Sequence, residues 1–256
     1  MSRLSPSATV RSQARNALKG NYVAAVASFV ILILPIYLIM GLLSVVSVLL
    51  TELIDDQAIL GAVGIVVLTP LAILSSVLLS PLFNGFVRAF YEAAYTREFR
   101  LINLFYYFSK GRYHRALHLN LSFLIRIFFP ALLFFLPLFV YNVFCYNYMD
   151  SFVDTVLYKD FAFLLSVMSS ILLILYSLKY FLVFTLFSSE DKMDSKEIFS
   201  TSKAVMKEQK GAATKLIFSF TPWMLLCLLI IPALYVVPYM TQSLCIGAKW
   251  MTMKGE

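Results

Sequence analysis

Asp194–Gly211 reads DSKEIFSTSKAVMKEQKG, a charged island between two long apolar runs. Asp194 suits a helix N-cap, and Glu197 three residues on suits the return bond of a capping box. Ile198, Phe199, Val205 and Met206 then fall on one face, with small Ser202 between them. Lys196, Lys203, Lys207 and Lys210 flank or oppose that face, and Gly211 suits a left-handed cap. The spacing predicts an amphipathic helix over 195–210. A basic helix framed by apolar runs is what a chain makes when it leaves one membrane segment and enters the next.

Composition agrees. The chain is 61% hydrophobic and only 14% charged, where globular chains hold about 45–50% apolar and about 25% charged residues. Mean hydropathy is +0.83, which excludes an ordinary water-soluble domain. The 23 Phe and 15 Tyr suit residues at headgroup level. Tyr22–Leu50 is too long for the apolar core of a cleavable signal, which holds roughly 7–15 residues. Cys145, Cys227 and Cys245 lie in or beside apolar runs without metal-ligand spacing.

Outward from the central helix, the expected architecture is one all-α domain over 1–256, a polytopic bundle of about six spans. A surface helix over 5–19 starts at Ser5-Pro6, with Val10, Ala14, Ala17 and Leu18 in one stripe and Arg11, Arg15 and Lys19 in another. Spans follow near 22–50, 58–83, 116–144, 161–187, 213–231 and 234–252. Pro35, Pro70, Pro81, Pro130 and Pro137 are expected to bend or break them, and Pro232 and Pro238 to divide the last two. Gly61 and Gly64 would allow close helix contact. The second helix should run on past Pro81, with Arg88 and Glu92 paired four residues apart. A second surface helix is expected over 98–110, with Leu101, Leu104, Phe105 and Phe108 on one face.

Seventeen of the 21 Lys and Arg lie in 1–21, 96–115, 189–215 and 247–256, the last including Lys249 and Lys254. The loops 51–57 and 146–160 are acidic instead, with Glu52, Asp55, Asp56, Asp150, Asp154 and Asp160. The positive-inside rule then puts both termini and the amphipathic segments in the cytoplasm. Lys19-Gly20, Lys110-Gly111 and Lys210-Gly211 each close such a segment before an apolar run. That recurrence reads either as three units of surface helix plus membrane hairpin or as convergent topology.

Chemistry-bearing residues are few. Arg126 lies about eleven residues into the third span, where a charge must face protein, water or headgroups, or snorkel. With Arg88 and Arg115 it is the candidate contact for lipid or phosphate. Arg11, Arg15, Lys19, Lys203, Lys207 and Lys210 are the interfacial cations. Lys179, flanked by Tyr176 and Tyr180, should snorkel. His114 and His118 are four apart but lack a third ligand at matching spacing, so no metal site is expected. There is no GxSxG, HExxH, P-loop or dinucleotide fingerprint, so neither catalytic residues nor a cofactor are expected.

SQARNALKGNY at 12–22 and SKEIFSTSKAVMKEQKGAATKLIF at 195–218 resemble the N-terminal helix and central motif of DUF975, a family of bacterial integral membrane proteins of unknown function. Pro238-Tyr239 resembles the family's ending, while Glu208 stands where a glycine usually follows Met206-Lys207. The layout is distantly similar to membrane portions of glycerophosphodiester phosphodiesterases, without their catalytic half. The resemblance implies a multi-pass protein of the bacterial cytoplasmic membrane. The expected role is non-enzymatic: membrane-organising, envelope-related or partner-binding. Expected partners are anionic lipids and a protein or second copy, not nucleic acid. The alternative is a small transporter or export accessory handling a lipid, peptide or amphipathic compound.

Overall fold

The computed structural model describes residues 6–53, 63–148, 155–189, 193–227 and 229–253. Ser5, Asp55, Asp56, Gly61, Asp150, Asp154 and Lys254 lie outside the described residues. Every regular element described is helical. In order these are α1 (Pro6–Leu18), α2 (Tyr22–Leu53), a π-helical turn (Gly64–Leu68) leading into α3 (Thr69–Thr96), and a 3₁₀ helix (Leu101–Phe108). Then come α4 (Arg112–Tyr148), α5 (Val156–Ser177) with a 3₁₀ turn (Leu178–Tyr180), and α6 (Val183–Ser189). The chain ends with α7 (Ser195–Phe218), α8 (Thr221–Leu226) and α9 (Ile230–Met253). Tyr22–Glu52, Ile73–Thr96, Arg112–Cys145 and Val156–Ser189 are long and apolar enough to cross a membrane.

The amphipathic stripe of α7 is buried as its spacing implies. Ile198, Phe199, Ser202 and Met206 are at most 2% exposed, and Ser202 Oγ donates to the Lys179 carbonyl at 3.0 Å. Both ends of the helix differ from expectation. Asp194 occupies the N-cap with extended geometry, but its side chain makes no cap hydrogen bond. Gly211 does not stop the helix, which runs to Phe218. Ala213 and Leu216 continue the buried stripe about two and three turns beyond Met206, and that packing outweighs a mid-helix glycine's cost of about 1 kcal/mol. Pro222 sets the true end, since it lacks the N–H that would bond to the Phe218 carbonyl. The expected span near 213–231 is therefore not one helix: 213–218 belong to α7, and α8 is separate.

Other prolines do not interrupt. α2, α3, α4 and α9 stay helical across Pro35, Pro81, Pro130, Pro137 and Pro238, as helices among apolar neighbours commonly do. Pro232 stands in the first turn of α9, where the missing N–H is harmless. The expected surface helix over 98–110 is a 3₁₀ helix, whose three-residue period aligns Leu104 with Tyr107. Those two are buried, Leu101 at the start of the same row is partly exposed, and Ile102, Phe105 and Phe108 face outward. It lies so close to α3 that a Cβ at Gly85 would collide with the Leu104 carbonyl. Among the described residues nothing approaches Gly64, so the close contact expected there is absent.

The core sits at one pole. Val10, Ala14 and Leu18 of α1, Tyr239, Ile246 and Met251 of α9, and Phe90, Phe187, Phe199 and Phe220 join one buried cluster. Away from this basic pole the helices bare their apolar side chains. Strongly exposed apolar residues run from Val30 to Leu49, Val66 to Phe83, Leu121 to Phe144 and Val156 to Leu175. At 1.5 Å per residue these stretches measure about 26–35 Å. A hydrocarbon core is about 30 Å thick.

Candidate functional site

The three arginines singled out by sequence do converge, on the segment that runs from α6 into α7. Arg88 Nε bonds Glu92 Oε1 at 2.9 Å, the pairing that their spacing implies. Its guanidinium lies 3.6 Å from the Tyr106 ring centre, and Nη1 donates to the Ser188 carbonyl at 3.4 Å. Asn103 Nδ2 donates to the other Glu92 carboxylate oxygen, so the pair is held from both sides. Arg115 Nη2 donates to the Met193 carbonyl at 2.9 Å, with its guanidinium 4.6 Å from the Phe187 ring centre. Arg126 lies 4.4 Å from the centre of Phe199, on the buried face of α7. A cation over an aromatic face contributes about 0.5–2 kcal/mol. These arginines brace the entry to α7 from α3 and α4.

His118 Nδ1 is 3.2 Å from Ser195 Oγ at the same helix start. Among the described residues no three His, Cys, Asp or Glu side chains gather as a metal would need. Lys179 Nζ lies 3.3 Å from the Tyr176 ring centre and 5.0 Å from that of Tyr180, between the two tyrosines that flank it in sequence.

The interfacial cations are arranged differently. Arg15, Lys19, Lys203, Lys207 and Lys210 are exposed and Arg11 is half-buried, flanking or opposing the packed stripes of their helices. Lys203 also lies 5.6 Å from the Tyr180 ring centre. Gly20 and Gly111 adopt left-handed φ values of +88° and +86°, and turn the chain after their lysines. Gly211 is helical, so the Lys-Gly recurrence is conformational at two of its three places.

Two concavities lie at and below this pole. Arg15 and Lys19 line a cleft of about 390 Å³ with Tyr22, Tyr235 and Tyr239. Tyr22 Oη donates to the Tyr235 carbonyl at 2.6 Å, and the two rings stack 5.0 Å apart. The cleft thus joins the 12–22 stretch to the Pro238-Tyr239 pair, two regions of the sequence that share a family resemblance. Sequence reasoning found its cations and missed its tyrosines, for which Pro238-Tyr239 was the only signal. A larger groove of about 850 Å³ opens between α2, α3 and α4, capped by Phe184 of α6. Nothing in the hydrophobic pattern of any single helix marks it.

The family model described as a protein of unknown function, DUF975, matches residues 1–246. The chain belongs to that family. No curated protein and no solved structure matches it.

Proposed function

We propose that this is a multi-pass protein of the bacterial cytoplasmic membrane, with its basic pole and both termini on the cytoplasmic side. The observation that carries the reading is the apolar band of about 26–35 Å on four helices, directly below a pole rimmed by outward cations. The role is non-enzymatic. The pole holds anionic headgroups through Arg11, Arg15, Lys19, Lys203, Lys207 and Lys210, and so organises lipid or docks a partner at the membrane. Each such cation adds about 1 kcal/mol of attraction to an anionic surface. Arg88, Arg115 and Arg126 contribute indirectly, by fixing α7 so that its lysines share one face.

Purified protein should bind phosphatidylglycerol vesicles more tightly than phosphatidylcholine vesicles. Replacing Lys203, Lys207 and Lys210 together with alanine should narrow that difference. Equal binding to both vesicles by the unaltered protein would sink the lipid part of the proposal. A second reading, a small carrier or export accessory for an amphipathic compound, draws its support from the groove between α2, α3 and α4.

A further inference from the structure

The groove has a length, a direction and a polarity. Its walls run from Leu32 to Leu43 on α2, from Phe83 back to Ile73 on α3, and from Asn120 to Ala131 on α4. Ten or eleven residue steps at 1.5 Å each make it about 15–16 Å long. That is half of a hydrocarbon core of about 30 Å. All three walls begin at the same edge of the exposed apolar band, where Val30, Phe83 and Leu121 mark the boundary with the basic pole. The groove therefore occupies one leaflet, the one on the basic side.

Its two ends differ chemically. At the end nearest the pole stand the polar side chains of Asn120 and Ser80. There Phe184 packs against Phe83 and Phe123, with ring centres 5.1 and 5.0 Å away, and closes the roof. The far end is formed by Leu43, Ile73, Phe128 and Ala131, with Ser75 of α3 its one polar lining residue among the described residues. Beyond the roof, one turn along α6 from Phe184, the Ser188 carbonyl accepts a hydrogen bond from Arg88, which is paired with Glu92, so the polar groups of the pole begin past this end. A pocket of this size, apolar with a few polar groups mostly at one end, orients its ligand by those groups.

We propose that the groove is a binding site for one phospholipid of the leaflet on the basic side, its acyl chain lying along α2, α3 and α4. The ester end sits by Asn120 and Ser80, and the headgroup lies beneath the basic rim. The inference rests on the membrane reading above and adds a defined lipid site, distinct from the general attraction of the rim cations. It also accounts for Phe184, whose ring stops the groove from opening into the packed pole.

The test uses the full chain reconstituted in vesicles of phosphatidylethanolamine and phosphatidylglycerol carrying a trace of phosphatidylglycerol with a photoreactive acyl chain. Cross-linked residues are mapped by mass spectrometry. Cross-links are expected to concentrate on Leu124, Ile127, Phe128 and Ala131. They should be lost on Ala131→Phe with Ser80→Phe, which fill the groove, but kept on Leu133→Phe, which points outward. A melting measurement keeps this readable: the filled variant should melt as the unaltered protein does. Should it unfold, competition by unlabelled phosphatidylglycerol on the unaltered protein decides. A bound site saturates at low lipid, whereas a bare surface does not. Cross-links spread evenly over all four exposed faces would overturn the site and leave the membrane reading intact. Their absence everywhere would overturn both.

Discussion

Phe90, Phe187, Phe199 and Phe220 are at most 2% exposed at the basic pole, whereas Leu133, Phe139 and Phe163 are more than 60% exposed in the apolar band. The residue types are alike, and the helices carrying them overlap in composition. What differs is the medium that completes the packing. At the pole the alternative to protein contact is water, so phenylalanines gather and exclude it. In the band, on the membrane reading proposed above, the alternative is lipid, which is as apolar as the side chains themselves, so no force gathers them inward. The most apolar windows of the four long helices record this: 53% of that window is buried in α3, against 6%, 0% and 11% in the others. Of these four windows, that of α3 is the one most enclosed by protein.

The contrast can be broken most severely at Gly85, where the 3₁₀ helix leans on α3. Gly85→Leu would force the Leu104 backbone away and open the core at its densest contact. The expected loss is about 3 kcal/mol or more, read as disappearance of monodisperse protein on size exclusion. Next is a charge placed in the band. Leu133 lies near the middle of the exposed stretch of α4, and Leu133→Arg should cost about 2.5–3.5 kcal/mol of insertion. Leu133→Val should cost under about 0.5 kcal/mol, since lipid replaces the lost contacts.

The arginine braces test the pole from inside. Arg88→Met leaves Glu92 with Asn103 and solvent in place of its cation and removes the link to Ser188, for a loss of about 1–2 kcal/mol. The double change Arg88→Met with Glu92→Met should recover part of the melting temperature, which a purely steric role for Arg88 would not allow. The smallest effects separate the three Lys-Gly pairs. Gly20→Ala and Gly111→Ala force a side chain into the left-handed region and should each cost about 1–2 kcal/mol. Gly211→Ala has open space and a helical backbone, so it should stabilise by about 0.5–1 kcal/mol. If all three alanine variants melted alike, the conformational distinction among the pairs would be wrong.

These cases show what kind of feature is legible in a linear chain. The stripe of α7, the stripe of α1 and the Arg88–Glu92 pair all depend on neighbours three or four residues away, and each is readable. The 3₁₀ helix is not: an α-helical period pairs Leu104 with Phe108, whereas the tighter turn pairs it with Tyr107. That choice is made by α3, where Gly85 offers a footing without a side chain. The candidate site divides the same way. Its cations are legible because charge stands out in an apolar chain. Tyr22 and Tyr235, 213 residues apart, meet only after α9 has folded back beside α1.

Sequence alone determined an all-α chain built from apolar helices and basic amphipathic ones, because periodicity and charge are local and survive without a fold. Tertiary structure decided the rest. It turned Asp194–Gly211 from a capped surface helix into the first part of a longer one, carried past its glycine by Ala213 and Leu216. It aimed three dispersed arginines at the entry to that helix, and it left an apolar groove between α2, α3 and α4. Burial pools the contributions of residues far apart in sequence, so a weak local preference such as a glycine stop yields to it.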